Sequence, residues 1–205
     1  MSPASFHQHL LTPRLRLVPL EEEHGPLLLR YALENRDWLA PWEAARPQTY
    51  FTLEAQQALI AHYRRAREQQ VGVLYGVFWS QEELIGRLGV SDLAPADSAV
   101  LGYSIARHLG GKGLGTEAVR AVTAWGFQAW GLCRMEMFIH PLNQASLRLA
   151  RRAGFQPGGV SNDWVEINGR VEKLLRYVVE SNARSREGAN DSPARTQAQF
   201  IQESP

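Results

Sequence analysis

The sequence is poor in the features that mark several protein classes. Its 205 residues include a single cysteine, Cys133, so no internal disulfide and no thiolate metal cluster can form. A lone thiol in a chain long enough to bury a full core favours a reducing compartment. Cys133 lacks any nucleophile context and reads as a small core residue just ahead of a strand. No apolar run is long enough to span a bilayer, and residues 1–12 lack the apolar stretch of a signal peptide, so a cytoplasmic location is the expectation, with no membrane partner. Lysine and arginine number 22 against 21 acidic residues, a net charge of +1. No global field therefore advertises nucleic acid, and direct nucleic-acid binding is not expected. No His, Cys and carboxylate set has metal-ligand spacing, so no metal is expected. Internal repeats are absent, and nothing in the pattern fixes an oligomeric state.

What is present reads as one mixed α and β domain. Hydrophobic residues make up 44% and charged residues 21%, ordinary values for a globular chain. Leu15, Leu17, Val18 and Leu20 suggest a first strand. Glu21 to Glu23 then suit the positive end of a helix whose apolar face is Leu27, Leu28, Tyr31 and Ala32. Residues 35–51, NRDWLAPWEAARPQTYF, are too broken by proline for one helix. Thr52 is the expected N-cap of a helix to about residue 70. Three strands follow at 71–79, 84–93 and 99–106, with turns at 81–82 and 95–98. A helix at 116–130, a strand at 134–140, and a helix at 143–153 ended by Gly154 come next. Phe155 returns to strand, and 164–167 with 171–179 form a hairpin about Asn168-Gly169, a pair suited to a type I′ turn. After residue 180 the composition turns polar, so 181–205 reads as a disordered tail. The organisation is thus an extension at 1–12, a domain at 13–180, and the tail.

Between a strand and a helix stands GGKGLGT, residues 110–116. A helix start offers unpaired backbone N–H groups and the positive end of a dipole, which together suit a phosphate. Glycines at 111, 113 and 115 permit close approach and left-handed dihedrals. The turn is no P-loop, since no Gly-Lys is followed by Ser or Thr, and its spacing does not match a dinucleotide fingerprint. A glycine-rich turn without a ligand is the competing reading.

LGYSIARHLGGKGLGTEA, residues 101–118, resembles the strand and pyrophosphate loop of the GNAT family of N-acetyltransferases. NQASLRLARRAGF, residues 143–155, is similar to that family's later N-x-x-S…GF segment. ENRDWLAPWEAAR, residues 34–46, resembles the N-R-x-x-L-x-P-W-E stretch of the RimJ-like branch, which acetylates the N-terminal alanine of a ribosomal protein. Gly110 departs from the family pattern, which has Gln or Arg there.

The resemblance implies an α/β fold with one central, mixed, splayed sheet of about seven strands flanked by helices. It implies an acetyltransferase with acetyl-CoA as co-substrate and an acceptor that is a protein N-terminus or a small amine. In that fold two neighbouring parallel strands splay apart and the pantetheine arm fills the gap. The arm would pair near Ile105, Ala106 and Arg107, and the pyrophosphate would rest on Gly111, Lys112, Gly113, Leu114, Gly115 and Thr116. Ser146 would donate to the departing thiolate, or would be a helix serine bonded to its own backbone. Asn143 would contact the cofactor arm, cap its helix, or both. Glu43 would bind or deprotonate the amine, or be a loop carboxylate. His140 could titrate near neutrality beside the gap, and Trp38, Trp42 and Phe51 would wall the acceptor groove or simply pack. His108 is expected to be exposed. A small-amine acetyltransferase and a non-catalytic CoA-binding module remain the rival functions.

Overall fold

A computed structural model of the chain describes residues 6–79, 83–93, 98–167 and 169–181. Among them eight strands form one sheet in the order β1-β2-β3-β4-β5-β6-β8-β7. These are β1 Leu10–Leu11, β2 Arg16–Pro19, β3 Val73–Phe78, β4 Leu84–Ser91, β5 Ser98–Ile105, β6 Arg134–Ile139, β7 Gln156–Ile167 and β8 Arg170–Glu180. The helices are α1 Gly25–Glu34, α2 Arg36–Leu39, α3 Leu53–Glu68, α4 Leu114–Ala129 and α5 Gln144–Arg152.

Strand periodicity divides the core into two layers. Val73, Tyr75 and Val77 of β3 join the cluster that includes Ala118, Val119 and Val122 of α4 and Leu147 and Ala150 of α5. Leu74 and Phe78 face the other way, onto Leu28 and Tyr31 of α1 and Leu59 and Ile60 of α3. Helices on both faces explain why β3 is buried throughout and reads as an unbroken apolar run rather than an alternating one. Each such leucine or valine contributes roughly 1.5–3 kcal/mol on burial. Thr52 caps α3 as its sequence suggests, accepting from the Ala55 N–H at 3.2 Å.

The sheet has eight strands where about seven were expected. The extra one is β1, in the stretch set apart as an extension: Leu10 pairs with Leu17 and Leu11 with Arg16. Phe6 is fully buried and stacks on Trp130 with centroids 5.0 Å apart. Two leucines after a polar start are too short a pattern to announce a strand. Helix α4 starts at Leu114 rather than 116, since Gly113 at φ 78 already ends the turn. The turn residues 81–82 and 95–97, Asn168, and the tail from 182 lie outside the described residues. Ile167 pairs with Arg170 across the β7–β8 turn, with Gly169 at φ 72.

Every neighbouring pair is antiparallel except β5 and β6. Joined by the α4 crossover, these two run parallel, and they pair only at Ser98↔Arg134, Ala99↔Met135 and Val100↔Glu136. Beyond Val100 each strand keeps its outer partner: β5 stays on β4 as far as Gly86↔Ile105, and β6 stays on β8 as far as Ile139↔Leu175. The sheet therefore opens into a cleft between them.

Candidate active site

The cleft leads into a cavity of about 730 Å³, lined along its length by Tyr103, Gly113, Ser146, Ile139 and Glu43. One end is the glycine turn. Gly111 and Gly113 both have φ 78, and a Cβ at Gly111 would meet nothing within 4 Å. The Gly113 N-cap makes no side-chain capping bond to α4, so the first N–H groups of that helix are available to an anion. Gly115 serves packing instead: a Cβ there would stand 2.7 Å from Leu149 and 3.3 Å from Ile105. Leu114 is buried and anchors the helix start. Thr116 lines the cavity, and Lys112 turns away to sit over the Trp79 ring at 5.2 Å.

The exposed edge of β5 is the second component. Ala106 N–H donates to the Ile85 carbonyl at 2.8 Å, and Arg107 N–H donates to the Asn35 side chain at 3.0 Å. Both are therefore spent. Beyond the last β5–β6 pair, Val100↔Glu136, strand alternation then leaves the N–H and C=O groups of Tyr103 and Ile105 on the cleft side. Of Ile105, Ala106 and Arg107, only Ile105 offers the cleft an unengaged pairing edge. Arg107 instead lies over Trp38 at 5.8 Å.

Also on the cavity wall, Asn143 caps α5 by accepting from the Ser146 N–H at 3.0 Å. The Tyr103 phenol donates to Ser146 Oγ, also at 3.0 Å. Burial pushes the Tyr103 hydroxyl up to about 12, against the bond to Ser146, which works the other way. A hydroxyl that accepts the tyrosine hydrogen bond keeps its own hydrogen free to point into the cavity.

The far end is lined by the 38–46 segment, β4 and β6. Glu43 Oε2 lies 3.4 Å from Arg87 Nη2 and 4.0 Å from Arg46 Nε. Arg87 also donates to the Tyr50 hydroxyl at 2.6 Å. Burial disfavours the Arg87 charge, but Tyr50 and Glu43 outweigh it and hold the guanidinium above its usual value. Burial, followed by repulsion from Arg87, moves Arg46 down. His140 is buried and held at both nitrogens: Nδ1 accepts from the Leu142 N–H at 3.2 Å, and Nε2 faces Glu172 at 3.1 Å. With Nδ1 accepting, Nε2 carries the proton and the ring has no lone pair to spare. Trp42 packs edge-on against it at 5.6 Å. Trp38 and Trp42 line the main cavity. Phe51 lines a separate 190 Å³ cavity that shares Glu43 and Arg87 with it. His108 is exposed, 3.6 Å from Glu83.

Two residues of this site escaped the sequence reading. Arg87 is the one charge inside the apolar stretch LIGRLGV, a signal that was available. Tyr103 looked like any strand aromatic, because only the folded chain brings it within hydrogen-bonding distance of Ser146.

A family model described as an acetyltransferase (GNAT) domain matches residues 14–156. This chain is a GNAT-family acetyltransferase. The GNAT domain is 32% identical to the probable N-acetyltransferase YjcK of Bacillus subtilis over 154 residues, covering 74% of this chain and 85% of the relative. It is 29% identical to the [ribosomal protein uS5]-alanine N-acetyltransferase of Escherichia coli, covering 78% and 84%. Among solved structures, Mycobacterium smegmatis RimJ in complex with CoA-disulfide superposes with a TM-score of 0.78 at 20% identity, covering 86% and 87%. Likeness at that identity concerns the fold. Among the described residues no helix is long and apolar enough to cross a membrane, and no cluster of His, Cys, Asp or Glu is placed to hold a metal.

Proposed function

We propose that the chain transfers acetyl from acetyl-CoA to the N-terminal α-amine of a protein, with an alanine-led ribosomal protein as the favoured acceptor. The observation that carries this reading is the continuity of one cavity, from the uncapped start of α4, past Ser146, to Glu43. The uS5-alanine relative points to the acceptor. A ribosomal-protein acceptor is in keeping with a cytoplasmic location.

Bound acetyl-CoA supplies the activated acyl thioester. The turn at 110–116 holds the pyrophosphate through backbone N–H groups, so Gly110 can stand without a side-chain contact. Tyr103 and Ile105 pair with the pantetheine amides along the open part of the β5 edge. Ser146 Oγ gives its proton to the sulfur as the C–S bond breaks and regains one from solvent, while the Tyr103 phenol keeps its own proton and holds the hydroxyl in place by hydrogen bonding to its oxygen. Glu43, steered by Arg87, receives the ammonium form of the acceptor and takes up its proton directly or through water. Its burden is light, because an α-amine of pKa ~8 is roughly a tenth neutral at pH 7, whereas a lysine of pKa ~10.4 is far less so. His140 positions Trp42 and the cleft wall rather than moving protons, since both its nitrogens are engaged. Trp38 and Trp42 flank the entering chain.

Thiol release with acetyl-CoA as donor tests the reading. Alanine-led peptides should be turned over, while the same peptides blocked at the α-amine should not. A flat response to peptides beside turnover of small amines would move the function to a small-molecule acceptor.

A further inference from the structure

Residues 12–14, next to the short strand β1, take no part in the chemistry above. They are nonetheless tied to the glycine turn across 98 to 105 residues of sequence. Thr12 Oγ1 donates to Glu117 Oε1 at 2.6 Å, and the Arg14 N–H donates to the same oxygen at 3.0 Å. Arg14 Nε and Nη2 each reach Glu117 Oε2 at 2.6 Å. Glu117 lies in the first turn of α4, and its own N–H donates to the Gly113 carbonyl at 3.0 Å. The remaining terminal nitrogen, Nη1, donates to the Lys112 carbonyl at 2.9 Å. Nη2 also sits 3.6 Å from the point a Gly113 Cβ would occupy.

That last bond has a geometric consequence. In a trans peptide plane the C=O and the following N–H point in opposite directions. With the Lys112 carbonyl drawn out to Arg14, the Gly113 N–H faces the other way, towards the cavity that Gly113 lines. Lys112 is flanked by two glycines at φ 78, and glycine tolerates either sign of φ. The 112–113 peptide could therefore turn over at little cost if nothing held it.

Resting on the acetyl-CoA reading, we infer that Arg14 is a positioning residue for the pyrophosphate: braced by Glu117, it locks the Lys112–Gly113 peptide with its N–H presented to the anion. The role is geometric. Glu117 already neutralises the guanidinium, so charge alone adds little, and a lysine at position 14 cannot span Glu117 and the Lys112 carbonyl as a fork does.

The test compares a ligand that has the pyrophosphate with one that lacks it. Binding of CoA is measured by titration calorimetry for the wild type, Arg14→Met and Arg14→Lys. kcat/KM is measured in parallel with acetyl-CoA and with acetyl-pantetheine. Both variants should bind CoA about tenfold more weakly, equivalent to about 1.4 kcal/mol. The loss of kcat/KM should be about tenfold larger for acetyl-CoA than for acetyl-pantetheine. Equal losses for the two donors, unchanged CoA affinity, or full rescue by Arg14→Lys would overturn the inference. If Arg14→Met melts well below the wild type, Thr12→Val loosens Glu117 while keeping Arg14, and it should show the same donor contrast on a smaller scale. A wild type that binds no CoA would instead refute the acetyl-CoA reading itself.

Discussion

Ser146 is joined to two elements at once, through its N–H to the Asn143 cap and through its hydroxyl to Tyr103 of β5. Its Oγ is therefore fixed rather than free to choose a rotamer. Ser146→Ala removes the proton donor but leaves the cap intact, because the cap uses the backbone. We expect kcat to fall by about 10²-fold, the low end for a general acid, with little change in CoA affinity. A thiol of pKa ~8.5 leaves with modest help, which keeps the loss small. Unchanged kcat would remove the role. Tyr103→Phe takes one hydrogen bond from Ser146 and should lower kcat by roughly 5- to 10-fold, in line with about 1 kcal/mol for such a bond. The Tyr103 hydroxyl, pushed up to about 12, stays protonated across the working range. The acid limb of kcat/KM should then follow the acceptor amine near pH ~8. At this scale Ser146 and Asn143 could be found from their motif alone. Tyr103 and Glu172 could not, because their partners come from distant strands and helices.

The pairing of β4 with β5 sets one wall of the cleft, and glycine permits their close approach. A Cβ at Gly86 would lie 2.4 Å from the Ser104 carbonyl and 3.3 Å from Ile105 Cα, both backbone atoms that cannot swing aside. Gly86→Ala should therefore cost about 1–3 kcal/mol, and occasionally more. At about 2–4 °C per kcal/mol for a chain of this size, calorimetry should show a clear drop in Tm; an unchanged Tm would contradict the register. The helices α3, α4 and α5 were readable because caps and glycines mark their ends. The splay was not readable from residues 98–105 or 134–139 themselves, since unpaired and paired strand edges share the same alternation. Only the family resemblance pointed to it. The retention of Ala106 and Arg107 N–H groups by Ile85 and Asn35 was equally hidden, because it depends on strand register and on a buried side chain from α1's end.

Across the whole molecule, the first strand region, the glycine turn and α4 are joined through Glu117. Slight burial works against that carboxylate, but hydrogen bonds from Thr12 and Arg14 outweigh it and hold its pKa below the ordinary 4.5. A depressed carboxyl stabilises the fold above its unfolded value and loses that contribution as pH falls through the folded one. Urea unfolding of the wild type and Glu117→Gln should thus differ most at neutral pH and converge in acid below about 4.5; a difference that does not shrink would contradict the pairing. On the proposed reading, donor and acceptor enter one cavity from opposite ends, and the α-amine is favoured because it asks less of Glu43 than a lysine does. The most direct measurement is tandem mass spectrometry of an alanine-led peptide with an internal lysine, after incubation with acetyl-CoA and the protein. One acetyl group on the N-terminal amine and none on the lysine is the expected result. Acetylation of the lysine alone, or none on the peptide while small amines are modified, would contradict it.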